Sequence, residues 1–214
     1  MIDIHTHILP NFDDGSKSLE ESRECLFALK NNGVNKVILT PHFYVDGDKK
    51  ALIKRFEEFK ESVKDIDVEL YLGAEIMYTR GFTKNLFKEN VVSLNNTNIL
   101  LIEFPFANIG ISIREALYDV MCLGYKVVLA HPERYLYLSF DEIKMMKKDG
   151  VIMQVNTTSL DGGEGFKIRC RARKMARLGL IDFVASDCHG VSGKRKPNLS
   201  SKYLKYIKNK IDLF

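Results

Sequence analysis

Five histidines occur in the 214 residues, and all five stand at the ends of short apolar runs. His5 and His7 close Ile2-Asp3-Ile4, His42 follows Val37-Ile38-Leu39-Thr40-Pro41, His131 follows Val127-Val128-Leu129-Ala130, and His189 ends Phe183-Val184-Ala185-Ser186-Asp187-Cys188. Carboxylates hold matching places: Glu75 after Leu70-Tyr71-Leu72-Gly73-Ala74, Glu103 after Ile99-Leu100-Leu101-Ile102, Asp187 beside His189, and Asp14 in the loop behind His7. Side chains at i and i+2 of a strand share a face, so His5 and His7 turn the same way and grip one cation. Imidazole mixed with carboxylate suits Mn²⁺, Fe²⁺ or Zn²⁺. One ion takes about four to six ligands, so His5, His7, Asp14, His42, Glu75, Glu103, His131, Asp187 and His189 suffice for two or three ions with bridging carboxylates. Any one of them alone reads as a helix cap or a satisfied core residue. Five histidines in the same kind of place do not.

Clustered metals lower the pKa of bound water and clamp the attacking and leaving oxygens of an in-line displacement at phosphorus, so phosphoester hydrolysis is the expected chemistry. That reaction also needs a cation on the non-bridging oxygens. Arg134, in His131-Pro132-Glu133-Arg134-Tyr135, is placed for it, because guanidinium binds phosphate through two parallel hydrogen bonds. A second cation is expected from Lys194 or Arg195, in the loop after His189. The thiolate route is disfavoured: a cysteine phosphatase carries arginine six residues after its nucleophile, and Cys25, Cys122, Cys170 and Cys188 meet Asn31, Val128, Ala176 and Lys194 there.

The elements that must position these groups follow a repeated grammar. Ser18 and Glu21 read as a capping box opening a helix to about Asn32, closed by Gly33. Strands are expected at 36–40, 68–74, 99–102, 126–130, 151–155 and 182–186, with helices near 49–64, 113–123, 140–148, 166–178 and 200–210. Together with the first strand this makes seven strand-then-helix units. Alternation of this kind implies parallel pairing with right-handed crossovers. A doubly wound sheet binds ligands only where strand order reverses, whereas a closed barrel gathers every C-terminal strand end around one mouth. A ring of ligands fits the barrel better.

Composition is that of one soluble globular domain over residues 1–214: 45% hydrophobic, 28% charged, net charge +4. No apolar run is long enough to span a membrane, and the N-terminus lacks the basic-then-apolar pattern of a signal peptide, so a cytoplasmic location is expected. Four scattered cysteines suggest neither a disulfide framework nor a zinc ribbon, and Cys25 and Cys122 read as packing residues. The late basic residues Lys194, Arg195, Lys196, Lys202, Lys205, Lys208 and Lys210 read as a solvated helix face rather than a nucleic-acid surface. Sequence does not indicate the oligomeric state.

Ile2-Asp3-Ile4-His5-Thr6-His7, Asp13-Asp14-Gly15, Gly73-Ala74-Glu75, Ile102-Glu103-Phe104, Ala130-His131-Pro132-Glu133-Arg134-Tyr135, Gln154-Val155-Asn156 and Ala185-Ser186-Asp187-Cys188-His189 together resemble the polymerase and histidinol phosphatase (PHP) superfamily. Within it they resemble the bacterial capsular-polysaccharide type of metal-dependent protein-tyrosine phosphatase. The resemblance implies a distorted (β/α)₇ barrel, α/β in class, with a trinuclear manganese centre at the C-terminal strand ends and Fe²⁺ or Zn²⁺ as alternatives. It implies one ion held by His5, His7, Glu75 and Asp187, a second by Glu75, Glu103 and His131, and a third by Asp14, His42 and His189, with Arg134 on the phosphate. The family's later arginine aligns with Lys194, one place before Arg195. The implied partner is a phosphotyrosine protein, a bacterial tyrosine autokinase controlling capsule or exopolysaccharide synthesis. The alternatives are a small-molecule phosphatase of the histidinol-phosphate kind and a PHP-type nuclease.

Overall fold

The structure is a computed structural model describing residues 1–79, 81–86, 91–108 and 110–207. Its strands are β1 (Ile2–Asp3), β2 (Lys36–Leu39), β3 (His42–Phe43), β4 (Glu69–Leu72), β5 (Glu75–Met77), β6 (Ile99–Glu103), β7 (Lys126–Leu129), β8 (Ile152–Asn156) and β9 (Phe183–Ala185). All pairings are parallel, in the orders β1-β2-β4 and β3-β5-β6-β7-β8-β9. The two sheets are one curved wall, because the Gly73 N–H donates to the Leu39 carbonyl and the Glu75 N–H to the Pro41 carbonyl across the breaks. A parallel bridge between Thr6 and Cys188 joins the first strand's end to the last's, with His7 N–H on the Cys188 carbonyl at 2.7 Å and Asp187 N–H on the His5 carbonyl at 3.0 Å. The wall therefore curls into a distorted barrel, and its seam lies among the expected metal ligands.

Two of the seven expected strands are broken. Pro41 has no N–H to continue the ladder, so the second strand stops at Leu39 and resumes at His42. The third stops before Gly73 and resumes at Glu75. His42 and Glu75 thus begin short strands rather than end long ones, and they face each other in register. A one-residue register slip would point either away from its neighbour.

The helices are α1 (Leu19–Asn31), α2 (Lys49–Ser62), α3 (Phe82–Leu86), α4 (Ile113–Cys122), α5 (Phe140–Lys148), α6 (Thr157–Asp161) and α7 (Phe166–Leu178). Ser18 caps α1 by accepting the Glu21 N–H at 3.2 Å, but the Glu21 carboxylate reaches back to the Lys17 N–H rather than to Ser18, so the expected box is half formed. Ser139 and Glu142 make a complete box on α5. The expected final helix is a 3₁₀ helix over Ser201–Tyr206, and Lys208 and Lys210 lie outside the described residues. Cys25 is buried as expected; Cys122, at the exposed end of α4, is not a packing residue.

Strand alternation divides the apolar residues into two bodies. Leu100, Ile102, Val127, Leu129, Met153 and Val155 face outward against the helices, while Ile4, Ile38, Ile99, Leu101, Val128, Ala130, Ile152, Phe183 and Ala185 fill the barrel. The inward series continues to the mouth as Ile99-Leu101-Glu103, Ile152-Gln154-Asn156 and Phe183-Ala185-Asp187, so the same periodicity that packs the interior aims polar groups at its open end. No helix among the described residues is long and apolar enough to cross a membrane.

Candidate metal centre

All nine sequence-predicted ligands come together at this mouth. The Nε2 atoms of His5 and His7 lie 3.1 Å apart. Glu75 stands between them, its Oε1 3.3 Å from His5 Nε2 and its Oε2 3.2 Å from His7 Nε2. Asp187 Oδ1 is 3.6 Å from both. Glu75 also reaches His131 Nε2 at 2.9 Å and His42 Nδ1 at 3.0 Å, while Glu103 lies 3.5 Å from His131 and 3.8 Å from His42. At the outer edge Asp14 Oδ1 is 3.3 Å from both His42 Nε2 and His189 Nε2.

Two ligands hold left-handed backbone that is costly for residues with a Cβ: His131 at φ 34° and Asp187 at φ 50°. Strain of about 1–3 kcal/mol persists where surrounding structure fixes it, and here both residues turn off strand ends into the ring. Gly15 packs the Asp13-Asp14 loop against His7: a Cβ there would sit 1.8 Å from the His7 carbonyl oxygen. Only glycine permits that approach.

The hydrogen bonds behind the ring fix which nitrogens carry lone pairs. Gln154 Oε1 accepts the His131 backbone N–H, so it is the amide oxygen, and His5 Nδ1, 3.0 Å away, must be the donor. Asp13 accepts from His7 Nδ1 at 2.7 Å, and the Asp187 carbonyl accepts from His189 Nδ1 at 2.9 Å. In the neutral rings the Nε2 atoms of His5, His7 and His189 thus present lone pairs inward, and those of His5 and His7 face each other at 3.1 Å. Such an arrangement is repulsive unless an electrophile lies among them. Asp187 Oδ1 and His189 Nε2 are buried with no hydrogen-bond partner among the described residues. Orphaned acceptors, neutral imidazoles and carboxylates converging on one volume fit first-row divalent cations.

The electrostatics say the same. Burial favours neutral His7, but Asp13 and Glu75 outweigh it and push its pKa up to about 10. Burial opposes ionisation of Asp187, yet His5, His189 and His7 bring it down to about 2. Burial likewise resists a charge on Glu75, which His5, His131 and His42 nonetheless hold well below the usual carboxylate range. The carboxylates demand positive charge, and either imidazole protons or metal cations satisfy it. Burial and the neighbouring His7 drive His189 down to about 3, which leaves its ring neutral at physiological pH.

A cleft of about 280 Å³ opens onto Asp14, His42 and Glu103, and Arg134 and Arg195 line it. Arg134, on the 3₁₀ turn Pro132–Arg134, lies over the Phe106 ring at 4.2 Å, with Nη1 3.5 Å from Asp187 and Nε 3.6 Å from Glu164. Arg195 reaches Asp14 at 3.3 Å and Asp187 at 3.8 Å. Lys194 is exposed and lines no part of the cleft.

Residues 1–213 match the family model described as capsular polysaccharide synthesis, CpsB/CapC. The chain belongs to that family. It is 32% identical over 201 residues to the putative tyrosine-protein phosphatase CapC of Staphylococcus aureus, covering 91% of this chain and 79% of the relative. It is 32% identical over 215 residues to the tyrosine-protein phosphatase CpsB of Streptococcus pneumoniae, covering 95% and 88%. The solved structures of YwqE from Bacillus subtilis and CpsB from Streptococcus pneumoniae, described as unique metal-dependent tyrosine phosphatases, include a chain that superposes with a TM-score of 0.83 at 32% identity, covering 92% of this chain and 82% of that one.

Among the described residues of this CpsB/CapC member, the ligand atoms fall into four overlapping groups: His5-His7-Asp187, His5-Glu75-His131, His42-Glu75-Glu103 and His7-Asp14-His42-His189. Glu75 stands in two of them. Glu103 groups with His42 as well as lying near His131. Sequence reasoning assigned no role to four residues that matter here. Asp13 orients His7, Gln154 orients His5, Asn156 donates to Asp187 Oδ2 at 2.7 Å, and Glu164 steadies Arg134. The inward alternation Ile152-Gln154-Asn156 was the available signal for two of them and the Asp13-Asp14-Gly15 motif for a third; Glu164 left none.

Proposed function

We propose that this chain is a metal-dependent protein-tyrosine phosphatase, one PHP-type domain carrying three Mn²⁺ ions, acting on phosphotyrosine of a bacterial tyrosine autokinase that controls capsule or exopolysaccharide synthesis. The observation that carries the reading is the ring of nine ligands whose lone pairs converge beside two guanidiniums. The family's place in capsular polysaccharide synthesis and the tyrosine-phosphatase names of its relatives support the substrate and the partner.

In this reading His5, His7, Glu75 and Asp187 hold one ion, Glu75, Glu103 and His131 a second, and Asp14, His42 and His189 the third. When bound, the metals supply an activated water and neutralise charge on the phosphoryl oxygens. Arg134, held between Phe106, Glu164 and Asp187 at the cleft, takes two of those oxygens in this reading, and its fixed place lowers the reorganisation required at reaction. Arg195 contributes from the opposite loop. Gln154 and Asp13 keep His5 and His7 in the ligating tautomer. Tyrosinate is a good leaving group, with a conjugate-acid pKa of about 10, so a strong general acid is not required.

The test is hydrolysis of a phosphotyrosine peptide, with histidinol phosphate and single-stranded DNA alongside. Activity is expected on the peptide foremost, to vanish on chelation and to return with Mn²⁺. Turnover that survives chelation contradicts the reading, and preferred turnover of histidinol phosphate or DNA moves the substrate class.

A further inference from the structure

The lining of the cleft divides by chemistry. One part is ligands and guanidiniums; the other is Tyr44, Met77, Phe104, Pro105 and Phe106. Tyr44 is 51% exposed and Phe106 47% exposed, so two aromatic rings stand in water at the edge of the most polar site in the molecule. Exposed rings beside a binding cleft gain by burial against a ligand.

Both rings have a defined place. Tyr44 follows the ligand His42 by two residues, with Phe43 between them buried against the helical layer and a turn closed by the Gly47 N–H on the Tyr44 carbonyl. Phe106 follows the ligand Glu103 by three residues. One part of its ring carries the Arg134 guanidinium at 4.2 Å, and it stacks on buried Tyr135 with centroids 5.9 Å apart and planes at 28°. Its exposed part remains open to the cleft.

Resting on the phosphatase reading above, we infer that Tyr44 and Phe106 are specificity-determining residues that recognise the aryl group of the phosphoester, favouring planar phenyl esters over alkyl ones. With phosphorus between Arg134 and Arg195, the ester's organic group meets this apolar wall. A phenyl ring there gains stacking and edge contacts with both aromatics, while an aliphatic group of serine or small-metabolite type leaves them wet. A ring–ring contact is worth about three- to tenfold in affinity.

Phosphonates separate ring recognition from leaving-group chemistry, because they bind without turnover. Calorimetric titration of the manganese-loaded protein with phenylphosphonate and with methylphosphonate reads the preference directly. Wild type is expected to favour phenylphosphonate, and Tyr44→Ala and Phe106→Ala to narrow that preference about three- to tenfold each, with methylphosphonate binding to Tyr44→Ala changed less than twofold. Phe106→Leu keeps an apolar cover on Arg134 but no ring face, so any weakening from a displaced guanidinium falls on both ligands alike, and the phenyl-to-methyl ratio should still fall about three- to tenfold. Equal weakening of both ligands in Tyr44→Ala, or an unchanged preference in Tyr44→Ala and Phe106→Leu, overturns the inference. Failure of the phosphatase reading is distinct, since it shows as a protein that favours phenylphosphonate yet leaves phosphotyrosine peptide intact.

Discussion

The deep half of the metal ring and its outer rim use the same residue types under different physical conditions. His5, His7, Glu75, His131 and Asp187 are buried, and His5, His7 and Asp187 are fixed from behind by Gln154, Asp13 and Asn156. Asp14, His42 and Arg195 stand partly in solvent and lean on one another. In the deep half water is excluded, so losing a partner strands a buried charge. At the rim water substitutes for a lost partner and salt screens what remains. The deep half therefore sets whether the centre exists, and the rim tunes what it does.

The comparison breaks most decisively at Glu75. Glu75→Gln removes the negative charge that two candidate ligand groups share, and kcat/KM on phosphotyrosine peptide should fall about a thousandfold or more, with metal content by mass spectrometry falling alongside. Arg134→Ala leaves every metal ligand in place. It should cost about 10²–10³-fold in kcat/KM with metal content unchanged, the loss expected for one preorganised charge-stabilising donor. Gln154→Ala touches no substrate, yet releases the His5 ring and the His131 N–H; metal affinity should drop about 10–100-fold by competition with a fluorescent chelator. Smallest is the rim: Arg195→Ala should lower kcat/KM about tenfold at low salt and less at high salt, while Lys194→Ala changes it less than twofold. Equal losses at 194 and 195 would remove the distinction drawn between these neighbours.

The same division explains what was legible in the sequence. The ligands other than Asp14 could be read because each sits where an apolar run stops, and inward alternation such as Ile99-Leu101-Glu103 is a local property. Helices α5 and α7 lie where the sequence pattern put them, near 140–148 and 166–178. The breaks after Leu39 and Leu72 were not legible, because Pro41 and Gly73 each fit a strand's last turn as well as a kink within it. Gln154 bonds His5 across 149 residues of chain, and no spacing rule reaches that far. The choice of Arg195 over Lys194 rests on the path of a loop without periodicity. The final basic segment formed a 3₁₀ helix over its described part because its one buried side chain, Tyr203, gives it little to pack.

Anomalous diffraction at the manganese edge from crystals of the metal-loaded protein tests the central claim most directly. Three peaks are expected inside the ring bounded by His5, His42, His131 and His189, two of them beside Glu75. Absence of any peak there, or metal bound only elsewhere on the surface, would contradict it.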